Sequence, residues 1–215
     1  MFRLITIERE YGSGGAEVAE RVAKDLGWRL LDQTLIEAVA RRAQVDIGTA
    51  RRYDERLDSW WHRLNRDGLW SAAVASGATP ADAQFFDAET MAAITEDVIR
   101  SAASIGNCVI VGRGAQCVLR DTPQTLHVFV YGSWTERILR VQKRVRTDRD
   151  VSDLVRSMDR SRAAYLRRYF GCDWKDPDLY QGMVSSQLGI EKLASLIADA
   201  AKGTEIAAIA RVAGF

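Results

Sequence analysis

The segment Ile5-Thr-Ile-Glu-Arg-Glu-Tyr-Gly-Ser-Gly-Gly15 decides how this chain begins to fold. The apolar side chains within residues 3–8 are typical of a short buried strand. A glycine-rich turn follows. Valine and alanine then recur at helical spacing from Val18, and Gly27 supplies a typical helix C-cap. The segment therefore predicts a strand, a tight glycine turn and a helix.

The same alternation of strand and helix continues along the chain. Further strands are predicted at Trp28–Leu31, Cys108–Val111, Leu126–Tyr131 and near Met183–Val184. Helical patterns lie between them, including a capping box at Ser133 and Glu136 and a long helix from Val151 to about Phe170. Because each crossover is long enough to hold a helix, we predict a three-layer α/β fold with about five parallel strands. We assign residues 1–215 to a single domain.

Residues from about 46 to 86 interrupt this pattern and are predicted to form a helical insertion. Arginines alternate there with aromatic side chains, among them Trp60, Trp61, Trp70, Phe85 and Phe86. In one interpretation these aromatics face the core or a second copy of the chain in a homodimer. In the other, the segment is a mobile flap over a substrate.

Composition limits the classes of function. The chain has 215 residues, of which 47% are hydrophobic and 27% charged, as in ordinary soluble domains. A net charge of +1 gives no reason to expect a nucleic acid partner. With two histidines, a histidine-rich metal site is not expected, and no metal-ligating residues are assigned.

Location is inferred from the cysteines and from apolar runs. The three cysteines form no Cys-x-x-Cys pair and indicate free thiols in a reducing compartment. No apolar run of about 18 residues predicts a membrane span. The N-terminus lacks the apolar core of a signal peptide, so we expect a cytoplasmic protein.

The turn between the first strand and the first helix, Arg9–Gly15 and called the phosphate loop below, is predicted to bind an anion. In an α/β protein this turn lies at the carboxyl edge of the sheet, where the N–H groups of the following helix are free. Glycines allow a phosphate to approach the backbone closely. We therefore expect phosphate to be bound by the loop residues Gly12, Ser13, Gly14, Gly15 and Ala16. A tight turn that binds no ligand is the alternative.

The loop departs from the Walker pattern Gly-x4-Gly-Lys-Ser/Thr. When its last glycine is aligned with Gly14, Arg9 stands at the first glycine and Gly15 at the lysine, and no serine or threonine follows. Arg9 flanks the loop and can supply the missing positive charge to the phosphates. Alternatively, it pairs with Glu8 or Glu10.

Several segments together carry a family resemblance. They are Ile5–Gly15, Leu31-Asp32 before a helix, Val109-Ile-Val-Gly-Arg-Gly114, Val128–Tyr131 leading to Glu136-Arg137, Asp159-Arg-Ser-Arg162 with Tyr165, and Tyr169-Phe-Gly-Cys-Asp-Trp174 with Asp176-Pro177 and Tyr180. In this order they resemble the cytidylate kinase-like family, relatives of the nucleoside monophosphate kinases. The resemblance covers most of the chain except about residues 50–85.

The resemblance implies a P-loop kinase fold with an arginine-rich lid, here about residues 148–178. It also implies ATP as phosphate donor, Mg²⁺, and a small phosphorylatable acceptor such as a nucleoside monophosphate. True cytidylate kinases carry a lysine in the phosphate loop and an Arg-Asp pair after the third strand. This chain has Gly15 and Arg113-Gly114 at those places.

Four further residues are candidates for the site. Arg113, between two glycines, is placed to meet an acceptor phosphate or to cap a helix. Arg162 lies on the apolar face of the lid helix and either pairs with Asp159 or meets the triphosphate, with Arg160 as the second candidate. The resemblance implies that Asp32 orients the acceptor or a magnesium-bound water; alternatively, Asp32 caps the following helix.

Three functions fit these observations. The first is an ATP- and Mg²⁺-dependent kinase with Arg9, Arg113 and Arg162 as its catalytic arginines. The second is a nucleotide-binding or regulatory protein without catalysis, because the loop lacks its lysine. The third is an interaction protein that binds a partner through the aromatic residues of the insertion.

Overall fold

The computed structural model describes residues 1–32, 88–148 and 150–203, and these residues contain one five-stranded parallel sheet. Its strands are β1 (Leu4–Arg9), β2 (Arg29–Leu31), β3 (Cys108–Val111), β4 (Thr125–Tyr131) and β5 (Gly182–Ser185). They lie in the order β2-β3-β1-β4-β5, and every neighbouring pair is parallel. The predicted parallel sheet of about five strands is confirmed.

The chain divides into two compact units. One comprises Met1–Asp32 and Ile99–Phe215 and contains the sheet; the other is Gln33–Val98. The predicted helical insertion at about 46–86, with its tryptophans, lies outside the described residues. Its role and the assignment of one domain therefore stay predictions.

The described helices follow the strands as the sequence pattern indicates. They are α1 (Gly15–Leu26), α2 (Ala88–Ile105), α3 (Ala115–Val118), α4 (Trp134–Val145), α5 (Ser152–Phe170) and α6 (Ile190–Lys202), with 3-10 turns at Pro177–Leu179 and Ser186–Leu188. The Ser133 side chain accepts the Glu136 N–H, which confirms the capping box. Gly27 and Gly171 end α1 and α5 in the left-handed conformation.

Apolar side chains cover both faces of the sheet. On one face, Ile5, Val109 and Val128 belong to a buried cluster with residues of α1 and α6. On the other face, Phe129 packs with Leu166 of α5 and with the segment that follows this helix. A sheet buried on both faces by helices is the predicted three-layer α/β architecture.

Helix α5, which lies in the predicted lid segment and is called the lid helix below, has the predicted apolar stripe with one exception. Val151, Val155 and Met158 are buried as the helical spacing predicts, but Leu154 is 40% exposed. Leu154 lies at the edge of the stripe, so the helix turns it away from the core that the other three residues enter.

None of the helices within the described ranges has the length and apolar character that crossing a membrane requires.

Candidate functional site

The candidate site lies where β1 ends in the middle of the sheet. Gly14, with a φ of 87°, is the N-cap of α1 and brings no side chain that could occupy the helix N-terminus. The helical hydrogen bonds begin with the Val18 amide, which donates to the Gly14 carbonyl at 3.0 Å. The N–H groups of Gly15, Ala16 and Glu17 precede this bond and carry the positive end of the helix dipole.

A cavity of about 180 Å³ opens in front of these amides. Its lining within the described residues consists of Arg9, Glu10, Tyr11, Gly12, Gly14, Gly15, Ala16, Glu17, Arg140, Val141, Arg144 and Arg162. Four of these side chains are guanidinium groups. Glu10 is balanced by Arg137, at 3.2 Å, and by Lys175, at 2.5 Å. The excess positive charge suits a ligand with several anionic oxygens.

Helices α4 and α5 hold the loop by its carbonyl oxygens. Arg162 of α5 donates to the Arg9 carbonyl at 2.9 Å. Arg137 and Arg140 of α4 donate to the Tyr11 carbonyl at 2.8 Å and the Gly12 carbonyl at 2.6 Å. The shape of the loop is thus fixed by cations from two helices before any ligand is considered.

The amides in the first half of the loop are already used within the protein. Glu10 N–H donates to the Val130 carbonyl, Tyr11 N–H to Asp159 Oδ1, and Ser13 N–H to the Glu10 carbonyl. Ser13 is fully buried, is not part of the cavity lining, and its hydroxyl meets no partner among the described residues. These three bonds leave the N–H groups at the start of α1 for an anion, and phosphate binding by Gly12, Ser13, Gly14, Gly15 and Ala16 stays a prediction.

Arg9 crosses the loop from its first position to its last. A Cβ built on Gly15 would lie 2.5 Å from Arg9 Cβ, and one built on Gly112 would lie 2.0 Å from Arg9 Nη1. The side chain therefore passes over Gly15, and its guanidinium reaches the loop that follows β3. Arg9 lines the cavity and also lies 3.5 Å from Glu8 Oε1, so of the two predicted acidic partners it contacts Glu8.

The loop after β3 has an unusual backbone. Gly112, Arg113 and Gly114 are three successive residues with positive φ, at 68°, 59° and 73°. Such angles are uncommon for a residue with a side chain. Burial raises the pKa of Tyr165 of α5 to about 12, and the charge of Arg113 opposes that rise.

The structure brings together some of the predicted site residues. Arg9, Arg162, Gly12, Gly14, Gly15 and Ala16 share the cavity. Arg160 is exposed on the other side of α5, and its side chain is not in the cavity lining that the described residues provide. Asp32 follows the edge strand β2, with β3 between it and β1. Arg113 belongs to the neighbouring loop rather than to this lining.

The sequence reasoning missed Arg140 and Arg144 of α4, and it named Arg137 only within a segment of the family resemblance. Arg140 and Arg144 line the cavity, and Arg137 lies buried behind it. Their positions, three and four residues apart, place them on one helical face. This spacing is visible in the sequence, but it becomes meaningful only once β4 is known to lie beside β1.

A parallel sheet with a glycine loop and cationic helices at the end of its central strand defines a P-loop kinase fold, and solved structures agree. An uncharacterized protein from Eubacterium ventriosum ATCC 27560 is 21% identical, with a TM-score of 0.65 over 93% of this chain and 98% of its own. Shikimate kinase from Bacteroides thetaiotaomicron is 13% identical, with a TM-score of 0.53 over 94% of this chain and 99% of the kinase. Shikimate kinase from Acinetobacter baumannii, in complex with shikimate, is 12% identical, with a TM-score of 0.51 over 93% and 92%.

A comparison with family models is more specific. The model of the cytidylate kinase-like family matches residues 4–188, and the chain belongs to this family. The resemblance found in the sequence is confirmed. No curated protein sequence matches the chain.

Proposed function

We propose that this protein is an ATP- and Mg²⁺-dependent phosphotransferase that acts on a nucleoside monophosphate or another small acceptor. The observation that carries the proposal is the path of Arg9, whose side chain lies over Gly15 and ends beside Gly112. A cation therefore stands between the loop that would bind the donor and the loop that would face the acceptor.

Arg9 takes over the task of the absent lysine. In P-loop enzymes the lysine after the last loop glycine contacts the phosphates, and transfer depends on positioning and on cations around the transferring oxygens. In this chain the Cα of Gly15 is covered by the Arg9 side chain, so the positive charge comes from the first loop position. A guanidinium can also donate two parallel hydrogen bonds to one phosphate, which an ammonium group cannot.

The remaining cavity groups suit the other phosphates of a nucleotide. The amides at the start of α1 meet oxyanions, and Arg140, Arg144 and Arg162 surround the same space. Their guanidinium groups are already held by the loop carbonyls or by Tyr11. Ligand binding therefore costs little additional side-chain entropy.

Magnesium fits as an ion that arrives with the nucleotide. Within the described ranges, no three His, Cys, Asp or Glu side chains are grouped as metal ligands, and Ala16 follows Gly15. Mg²⁺ commonly binds phosphate oxygens and waters with few protein ligands. When bound, it would neutralise charge that develops on the phosphates.

The loop Gly112–Arg113–Gly114 is the proposed acceptor side. Its left-handed backbone holds Arg113 at the end of β3, the strand next to β1. Arg9 reaches this loop from the donor side. An acceptor with an anionic group held by Arg113 would lie next to the transferring phosphate.

A second candidate is a nucleotide-binding regulator without catalysis. The observation that favours it is the loss of both the lysine and the hydroxyl residue from the phosphate loop, where Gly15 and Ala16 stand. The two candidates share nucleotide binding and differ in turnover.

Two measurements separate them. A thermal shift with ATP and Mg²⁺ reports binding, because a ligand of the folded state raises the melting temperature. ADP formation is then followed with a panel of nucleoside monophosphates and small metabolites. The kinase predicts acceptor-dependent ADP formation that falls about 100-fold in Arg9→Gln. Stabilisation by ATP without turnover of any acceptor supports the regulator, and no stabilisation at millimolar ATP contradicts both.

A further inference from the structure

Arg137 is a buried arginine that the proposed chemistry leaves unused. It is 4% exposed, although guanidinium groups stay charged at all ordinary pH values. A buried charge is tolerated when it is paired and hydrogen-bonded. The partners of Arg137 therefore indicate which parts of the protein it holds together.

All three nitrogens of Arg137 contact groups of the protein. Nε donates to the Tyr11 carbonyl at 2.8 Å, Nη1 lies 3.2 Å from Glu10 Oε2, and Nη2 contacts Asp159. Arg137 is therefore occupied by two residues of the phosphate loop and one residue of the lid helix. It does not line the cavity formed by the described residues, so a direct contact with nucleotide is not its role.

Asp159 closes this network from the lid side. Its Oδ1 accepts the Tyr11 N–H at 2.8 Å, while its Oδ2 meets Arg137. The N–H and the C=O of Tyr11 are thus both held by one ion pair. Arg162, three residues further along α5, lies on the same side of the helix and donates to the Arg9 carbonyl.

We propose that Arg137 is a positioning residue of the nucleotide site, which locks the phosphate loop to the lid helix through Asp159 and so presents Arg162 to the triphosphate. This inference rests on the proposed function. The geometry needs an arginine, because its planar fork serves three acceptors in fixed directions and a lysine ammonium cannot.

The test compares Arg137→Lys and Asp159→Asn with Arg167→Gln as the matched control. Arg167 lies on the same lid helix, but its side chain is 77% exposed and pairs with Asp173, which is not part of the phosphate loop. The dissociation constant of ATP·Mg²⁺ is measured by calorimetry at a temperature where circular dichroism shows each variant folded. Hydrogen exchange of a peptide spanning residues 9–14 is followed in the same samples.

We expect Arg137→Lys and Asp159→Asn each to weaken ATP·Mg²⁺ binding about tenfold or more and to accelerate exchange in the loop peptide. The double variant should lose less binding free energy than the sum of the two single losses, because both substitutions disrupt the same ion pair. Arg167→Gln should behave as the unmodified protein does.

Unchanged affinity in folded Arg137→Lys and Asp159→Asn would overturn the positioning role, even if both variants melt earlier. An equal loss in Arg167→Gln would also overturn it. If Arg137→Lys does not fold, Asp159→Asn alone decides, since it keeps an oxygen for the Tyr11 N–H and removes only the charge. Failure of the unmodified protein to bind ATP·Mg²⁺ would instead contradict the proposed function, and this inference would fail with it.

Discussion

The loops that follow β1 and β3 both combine glycine with arginine, yet different forces shape them. Side chains from α4 and α5 hold the β1 loop, where Arg162, Arg137 and Arg140 each bond a loop carbonyl. The β3 loop is shaped by its own backbone, with three successive positive φ angles before α3 begins. The first loop depends mainly on hydrogen bonds from arginines of α4 and α5, and the second on its left-handed backbone and on the packing of Phe170 against Gly114, so different substitutions should break them.

The comparison also sorts the arginines by task. Arg137 is used up in holding the β1 loop, whereas Arg9 extends from that loop to the other. Two arginines thus serve different tasks: Arg137 supports the loop, whereas Arg9 contacts the ligand in the proposed function. Only their partners reveal which task each one has.

The largest effect on stability should come from the β3 loop. Gly114→Ala introduces a Cβ that would lie 2.5 Å from Phe170 Cε2. Gly171→Ala has a similar φ, but no described atom lies within 4 Å of its Cβ position. Both variants carry the left-handed cost of about 1 kcal/mol, and Gly114→Ala adds overlap of about 1–3 kcal/mol. Urea unfolding measures the difference, and equal losses in the two variants would contradict the packing of Phe170 on this loop.

A smaller effect should distinguish donor from acceptor. Arg113→Gln is expected to raise the KM of the acceptor about tenfold, because a charge-assisted hydrogen bond to an anion is lost. The KM of ATP should stay within about twofold, because Arg113 belongs to the β3 loop and not to the cavity lining. Initial rates with both substrates varied give the two constants. A selective rise in the KM of ATP would place Arg113 on the donor side.

The smallest expected effect is a pH dependence of stability that comes from a buried histidine beside β1. His127 of β4 is buried, its Nδ1 lies 2.7 Å from the Thr6 hydroxyl of β1, and burial lowers its pKa. The unfolded chain gains a proton below about pH 6.5, which the folded chain resists, so stability falls as the pH drops through that value. Melting temperatures between pH 8 and pH 5 should show this decline. In His127→Gln the decline should be reduced, and an identical decline would assign it to other groups.

The sequence predicts the sheet well because local signals and burial agree there. The run Cys108–Val111 is a strand buried along its whole length, and Ser133 caps its helix as its spacing indicates. Arg162 was predicted from its place on the apolar face of α5, and it lines the cavity. Arg160, two residues earlier, lies on another face of α5 and is exposed.

The contacts that shape the site could not be predicted, because they join residues far apart in the chain. Arg140 and Gly12 are 128 positions apart, and Arg162 and Arg9 are 153 apart. The sequence revealed that Gly15 stands where a lysine is usual, but it did not reveal why. The structure supplies the reason, since the root of the Arg9 side chain occupies the place where a side chain at position 15 would begin.

The most direct test of the account exchanges these two positions. Arg9→Gly with Gly15→Lys restores the pattern Gly-x4-Gly-Lys and removes the overlap between the two side chains. We expect each single variant to weaken ATP·Mg²⁺ binding at least about tenfold, Gly15→Lys by overlap and Arg9→Gly by loss of charge, and the double variant to recover to within about threefold of the unmodified protein. A double variant as weak as the combined single losses, or a Gly15→Lys variant that binds more tightly on its own, would contradict the claim that Arg9 replaces the lysine.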